Sequence, residues 1–269
     1  MKYPCRLLRT GYHNGFYNMG LDQALLEAVA AGSLPTLRFY GWKPAAVSVG
    51  YFQSLADEVD LAACKRRGVD VVRRLSGGGA VFHHAEITYS IVLPVSHPLA
   101  GKTIADSYGI LCAGITRGLA LLGIDAQFAP INDIVVNGRK VSGNAQTRRM
   151  GCALQHGTVL LDNAEAMFDL LTVPVEKVSR DGAVRDVTER VTSLRALLGR
   201  EVSLEEAEEA LAHGFCEALS LDFCADAPLT EAEETRAREL GAAKFSNPHW
   251  PAGGSISVMR SACKQAETD

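Results

Sequence analysis

At 269 residues, 47% hydrophobic and 22% charged, the chain suits one large domain or two small ones and is too apolar for extensive disorder. Its 27 basic and 31 acidic residues leave a net charge of −4, which argues against a nucleic-acid binder. Seven cysteines without a C-x-x-C pair, no long apolar run and an N-terminus lacking an apolar signal core argue against zinc, disulfides and a membrane span, and for free thiols in the cytoplasm.

In chain order, Asn18 caps a predicted helix over residues 18–30, with Asp22 as an early acid and Gly32 as its stop. Residues 36–40 and 46–49 read as strands split by the turn from Trp42 to Pro44, and residues 56–66 as a helix closing at Gly68. Residues 69–73 make a short strand feeding the loop Ser76-Gly77-Gly78-Gly79-Ala80, and residues 86–94 alternate as a strand. A long helix over residues 104–122 is capped by Gly123. Residues 132–136 and 139–141 form a hairpin turned at Asn137-Gly138, and residues 152–162 a further strand. Residues 165–171 and 203–218 are helical. Residues 230–244 make a charged helix with Thr230 as cap and Glu233 at the capping-box position. Strands in hairpin runs between helices make the fold α+β rather than a doubly wound parallel sheet. One domain is expected over residues 1–250, with 190–250 as a helical extension, a tail over 251–269 and no separate accessory domain.

Two segments carry chemistry: R-R-L-S-G-G-G-A-V-F-H-H at 73–84 and N-G-R-K-V-S-G-N-A-Q at 137–146. Glycines without a Cβ let backbone N–H groups approach an anionic ligand, and Arg73 and Arg74 lead into that loop. Lys140 supplies a fixed positive charge for a carboxylate or phosphate. Together they point to acyl-group activation or transfer. Neither a Walker A loop nor a dinucleotide fingerprint is present. Asn132 and Asp133 are candidates for orienting Mg²⁺, and Asp133 is the candidate metal ligand. His83, His84 and His156 are candidate ligand-side donors without zinc spacing. Each has a plainer reading. The glycines suit a hairpin, Lys140 beside Asn-Gly suits a water-facing lysine, and Asn132-Asp133 suits a cap. The histidines suit satisfied strand residues. Cys152 reads as a buried strand cysteine rather than a nucleophile, despite Arg148, Arg149 and His156 nearby.

The three ordered segments R-R-L-S-G-G-G-A-V-F-H, N-D-I-V-V-N-G-R-K-V-S-G-N-A and H-G-T-V-L-L resemble the lipoate–protein ligase A group of the biotin/lipoate A/B protein ligase superfamily. P-T-L-R-F-Y-G-W and S-V-G-Y-F-Q add to the resemblance, which covers roughly residues 15–250. It implies mixed, mainly antiparallel sheets with flanking helices and a ligand tunnel beneath the glycine loop. It also implies an ATP-dependent lipoate–protein ligase: lipoate and MgATP give lipoyl-AMP, and the lipoyl group moves to a lysine of a carrier domain of the 2-oxoacid dehydrogenase E2 or glycine cleavage H protein type. By the same resemblance Lys140 is catalytic. Arg74, Gly77, Gly78, Gly79, Ala80, Val81, Phe82 and His83 bind ligand, with Asn132, Asp133, Ser142, Gly143 and His156. A separate accessory-domain protein is an implied partner.

E-I-T-Y-S at 86–90 and Q-T-R-R at 146–149 also resemble the related octanoyltransferases, which work through an acyl-cysteine. One branch places that cysteine just before the lysine hairpin. Here the stretch reads Q-F-A-P-I-N-D, which favours the ligase. The alternatives are the cysteine-dependent octanoyl- or lipoyltransferase, a non-catalytic carrier-binding protein and, ranked low, a biotin ligase.

Overall fold

The computed structural model describes residues 2–162, 170–171, 190–224, 227–247 and 250. Strands β1 (Tyr3–His13), β2 (Thr36–Trp42), β6 (Glu86–Pro94), β7 (Gln127–Ala129), β8 (Asp133–Val136), β9 (Arg139–Arg149), β10 (Cys152–Leu160) and β11 (Leu221–Phe223) form an eight-stranded sheet. Its order is β11-β1-β2-β6-β10-β9-β8-β7. A smaller sheet has the order β4 (Asp70–Arg73), β3 (Ala46–Val49), β5 (Val81–His83). β1 runs parallel to both neighbours and β3 to β4, while the other pairings are antiparallel. The fold is therefore α+β with mainly antiparallel sheets and flanking helices, as the hairpin runs implied.

Strand alternation assigns the two faces of the large sheet. Ile87, Tyr89, Ile91 and Leu93 of β6 join a core with helices α4 (Ile104–Leu121) and α6 (Leu204–Leu219). Tyr40 and Trp42 of β2 and Leu154 of β10 face α1 (Gly15–Ala30) and α7 (Glu231–Leu240). Helices α2 (Leu55–Glu58) and α3 (Leu61–Arg66) lie by the small sheet, whose Val47, Val49 and Phe82 pack with Ala63 and Cys64. The short helix α5 (Leu194–Leu198) begins at a Ser193 cap.

Local chemistry explains where elements start and stop. Thr230 and Glu233 form the predicted capping box, and Thr103 with Asp106 forms another at the start of α4. Asn137 and Gly138 both have positive φ, the backbone a tight two-residue hairpin needs.

Several expectations needed correction. The cap of α1 is Asn14, whose side chain accepts from the Tyr17 N–H, while Asn18 is buried inside the helix and bonded to Arg38. The helix expected over 56–66 is two helices. Val59 is extended and bridges to Leu171, and Asp60 caps anew by accepting from the Ala63 N–H at 2.8 Å. β9 runs on to Arg149 rather than stopping at 141, because its polar residues are paired between β8 and β10. β1, β7 and β11 lack strong alternation and were not expected as strands. The helix assigned to 165–171 falls largely outside the described residues, as does the tail over 251–269. No helix among the described residues is long and apolar enough to cross a membrane.

Candidate active site

A cavity of about 760 Å³ is lined by residues of both sheets. Its walls come from α1 and β2 (Met19, Tyr40, Trp42), from β6 and β10 on the same sheet face, and from the glycine loop with β3 and β5 opposite. Of the candidate site residues, Arg74, Gly78, Gly79, Ala80, Val81, Phe82, His83, Asn132, Asp133, Lys140, Ser142, Gly143 and His156 line it, while Arg73, Gly77 and His84 do not. Segments far apart in sequence meet here because β10 pairs with both β6 and β9.

The two arginines shape the loop. Arg73 donates to the carbonyls of Gly50, Tyr51 and Gln53 and holds the segment after β3. Arg74 lines the cavity, but its N–H groups point to protein. Nη1 donates to the Ser48 carbonyl and Oγ, Nη2 to the carbonyls of Gly77 and Gly79, and Nε to Gly77 again. Burial pushes the Arg74 guanidinium down to about 10, against the opposing charge of Glu58. In a trans peptide the N–H points opposite the carbonyl. The clamped Gly77 and Gly79 carbonyls therefore turn the Gly78 and Ala80 N–H groups away from Arg74, and Ala80 N donates to Glu58 Oε2 at 3.2 Å. Gly78 has a φ of +95°, and a Cβ there would stand 2.8 Å from Arg74 Nη2, so this position needs glycine.

Two serine–histidine–carboxylate relays meet the cavity. In one, Ser48 Oγ lies 2.7 Å from His83 Nε2 and His83 Nδ1 lies 2.6 Å from Glu86 Oε1. Trp42 stacks on His83 with ring centroids 4.0 Å apart. In the other, Ser76 Oγ lies 2.6 Å from His156 Nε2 and His156 Nδ1 lies 3.2 Å from Asp22 Oδ2. Asp22 also accepts from Arg38, Tyr40 and Ser90. Burial would raise the Asp22 carboxyl, but the His156 hydrogen bond and the Arg38 charge hold it below its ordinary value. Burial pushes His156 below its ordinary value, against the pull of Asp22. Asp22 thus stays ionised and His156 neutral.

At the far wall Lys140 Nζ sits 2.7 Å from Asp133 Oδ1, with the lysine side chain 41% exposed rather than buried. Asn132 is pinned to Asn144 through reciprocal side-chain to carbonyl bonds. Ser142 and Glu86 are lining residues whose Oγ and Oε2 atoms are buried without a protein hydrogen-bond partner.

None of the described cysteines lines the cavity. Cys152 is buried in the core beneath α1, and burial raises its thiol. Cys5 and Cys112 are pushed up to about 12, chiefly by burial. The residues that sequence reasoning missed are Ser48, Glu58 and Glu86, and Asp22 was assigned only a helix-start role. The signal for Ser48 and Glu86 lay in S-V-G-Y-F-Q and E-I-T-Y-S, segments seen only as likenesses, and Glu58 lies in neither.

The model of the lipoyl protein ligase A/B catalytic domain matches residues 14–216. Octanoyltransferase LipM of Kyrpidia tusciae is 41% identical, with 91% of this chain and 97% of the relative covered. Octanoyltransferase LipM of Geobacillus kaustophilus is 38% identical, with 91% and 96% covered. Among solved structures, a bipartite lipoate protein ligase from Thermoplasma acidophilum, described with its E2 lipoyl domain, gives a TM-score of 0.82 at 32% identity, with 94% of this chain and 97% of that chain covered.

These relatives overturn the expected ATP-dependent lipoate–protein ligase. They are named for octanoyl transfer, so ATP, Mg²⁺ and free lipoate, with the lipoyl-AMP intermediate, are withdrawn as cofactors. In the site the Asp133 carboxylate, the expected metal ligand, is ion-paired with Lys140. Among the described residues no cluster of three or more metal-ligating side chains stands ready for a metal. The ligase reading weighed the glycine loop and the lysine hairpin above E-I-T-Y-S and Q-T-R-R, the segments that resemble octanoyltransferases. The chain is an enzyme-family protein of lipoylation chemistry, and with residues 14–216 matched it belongs to the lipoyl protein ligase A/B catalytic-domain family of the biotin/lipoate ligase superfamily.

Proposed function

We propose that this chain is an octanoyltransferase. It takes an octanoyl group from the thioester of an acyl carrier protein and joins it, as an amide, to the ε-amine of a lysine on a lipoyl domain. The acceptor is of the E2 or glycine cleavage H protein type, and the reaction runs in the cytoplasm. The observation that carries this reading is the likeness to octanoyltransferases along 91% of the chain. The cavity chemistry agrees. Its volume of about 760 Å³ lies in the ordinary range for a small-ligand site, and Met19, Val135, Val141 and Leu160 offer apolar wall for an acyl chain. Lys140 and the glycine loop offer positive charge and N–H donors to the carbonyl. A thioester is already activated, so transfer needs no nucleotide, only a positioned acyl group and a route for the amine's proton.

The test is intact-mass spectrometry of an apo lipoyl domain incubated with this protein and octanoyl-acyl carrier protein, with a parallel tube of lipoate and MgATP. An octanoyl gain from the thioester alone is expected. A gain only in the ATP tube, or in neither tube, would overturn the proposal.

A further inference from the structure

The chain carries more acids than bases, 31 against 27, yet one surface beside the glycine loop gathers cations and exposed apolar side chains. Gly50 packs on the back of that loop, where any Cβ would collide with the Gly78 carbonyl. The next residue, Tyr51, donates its N–H to the Ser76 carbonyl at 2.8 Å. Tyr51 is thus tied to the loop whose Gly78 and Gly79 line the cavity, without lining the cavity itself.

Two cations rest on this anchor. The Arg149 guanidinium lies over the Tyr51 ring, 4.4 Å from its centroid. Its Nε is 3.4 Å from Thr147 Oγ1, and its Nη groups donate to no protein atom among the described residues. The Lys244 ammonium lies over the Trp250 ring at 4.1 Å and gives one of its three N–H groups to Gln23 Oε1 at 2.8 Å. The Tyr51 and Trp250 rings meet edge to face with centroids 5.9 Å apart, so both cations share one aromatic platform. Burial and the nearby Arg149 charge hold Lys244 below its ordinary value. Glu27, the carboxylate nearest in effect, is taken by Arg236 at 2.8 Å. No carboxylate among the described residues pairs with Arg149 or Lys244. Like charges held together on rigid rings without a counter-ion cost the isolated chain stability and favour an anionic partner.

Apolar groups flank the cations. Phe52 is 52% exposed, its ring edge-on to Tyr51 at 5.0 Å. Met150 is 61% exposed and occupies the β9–β10 turn at a φ of +54°. A left-handed turn position suits methionine less well than the asparagine of the Asn137-Gly138 turn. Neither solubility nor turn geometry accounts for this residue, whereas aromatic residues, Met and Arg are the types enriched where proteins meet.

We infer that Tyr51, Phe52, Arg149, Met150 and Lys244 form the docking surface for the acyl carrier protein that delivers the octanoyl thioester; the inference rests on the octanoyltransferase reading above. Of the two protein partners in that reading, the acceptor presents a lysine, which this charge repels. The carrier presents its thioester on a flexible arm joined to the protein through a phosphate, so it is anionic where the arm begins. The surface that holds it has to adjoin the cavity rather than line it, as this one does.

The test follows octanoyl transfer to a lipoyl domain by the full-length chain with three donors: octanoyl-acyl carrier protein, free octanoyl-phosphopantetheine and octanoyl-pantetheine. Arg149→Glu and Phe52→Ala are each expected to raise KM for the carrier by on the order of 10-fold with kcat retained. Turnover of octanoyl-pantetheine stays unchanged, which shows a folded, working site. Met150→Asn, better suited to its turn, also raises KM for the carrier without loss of thermal stability. For the unaltered protein, added salt raises KM for the carrier and leaves octanoyl-pantetheine unaffected. Equal losses on the carrier and on octanoyl-pantetheine overturn the inference, as does an unchanged KM for the carrier. A loss as large with free octanoyl-phosphopantetheine shows a phosphate site only and overturns it too. So does a raised KM for the lipoyl domain in place of the carrier. If no donor is turned over, binding of fluorescently labelled octanoyl-acyl carrier protein decides. Binding that Arg149→Glu weakens keeps the docking surface and removes the octanoyltransferase reading, while no binding overturns the inference.

Discussion

Lys140 and Asp133 are both more than a third exposed, so their ion pair contributes little to stability. Its value lies in where it puts a charge. Lys140→Ala is expected to lower kcat/KM for octanoyl transfer by on the order of 10²- to 10³-fold, as the loss of one fixed donor does, while stability changes by less than about 1 kcal/mol. Gly143→Ala tests the same charge indirectly. A Cβ there would stand 2.6 Å from Lys140 Cε and Nζ, the movable end of a flexible side chain. The variant should fold and lose activity because the ammonium is pushed off Asp133. Unchanged kinetics in both variants would remove Lys140 from the reaction. The buried Asp22–His156 pair ties stability to pH instead. Both groups titrate below their ordinary values in the folded protein, so the unfolded chain binds more protons over the interval between folded and unfolded values. Stability is complete above about pH 6.5 and falls as pH drops through that value, when the unfolded histidine protonates. It falls further below about pH 4, when the unfolded aspartate does. His13 and His97, also lowered by burial, add to the first slope. Urea unfolding between pH 8 and pH 5 should show this decline, and His156→Gln should remove its own share. A flat profile for the unaltered protein would contradict the argument.

At the scale of elements, α4 and α6 approach closely because glycines line their crossing. A Cβ on Gly118 would lie 2.8 Å from Leu211 Cα and 2.9 Å from the Ala210 carbonyl oxygen. These are backbone atoms that move only if the helices separate. Gly118→Ala should therefore destabilise by about 1–3 kcal/mol through overpacking. Gly109→Ala, on the exposed side of the same helix with nothing within 4 Å, should stabilise by up to ~1 kcal/mol through helix propensity. Thermal denaturation of the two variants compares them directly, and equal shifts would refute the packing argument. The capping box at Thr230 and Glu233 and the turn at Asn137-Gly138 were legible in sequence because each is complete within four residues. β1 was not. Its Arg6 is buried by an ion pair with Glu233 at 2.6 Å, 227 positions away, so a charged residue that reads as exposed lies inside. The second half of β9 was missed for the same kind of reason. Gln146 is satisfied by Ser107 and Gln155, neither of which a local pattern shows.

For the whole molecule, the cavity between the sheets is where ligand binding and folding couple. A non-hydrolysable octanoyl-pantetheine analogue at 100 times its Kd should stabilise the fold by about 2.7 kcal/mol. An acetyl analogue lacks six methylenes worth ~0.8 kcal/mol each if fully buried, so it should bind on the order of 10³-fold more weakly. Titration with thermal-shift detection reads both. Equal affinity for the two would mean that the apolar wall does not hold the acyl chain.

Sequence alone determined the α+β class and the family, since these depend on short motifs and local backbone chemistry. It did not separate a ligase from a transferase, because the glycine and lysine segments resemble ligases while E-I-T-Y-S and Q-T-R-R resemble octanoyltransferases. Tertiary structure decided which polar groups meet. Ser48 and His83 are 35 residues apart and meet because β3 pairs antiparallel with β5. Asp22 and His156 are 134 apart and meet because α1 packs on the face of β10 that carries His156. A buried polar group must find a partner wherever the fold brings one. Strand register and helix packing, set by the whole hydrophobic core, chose partners that no local stretch of sequence displays.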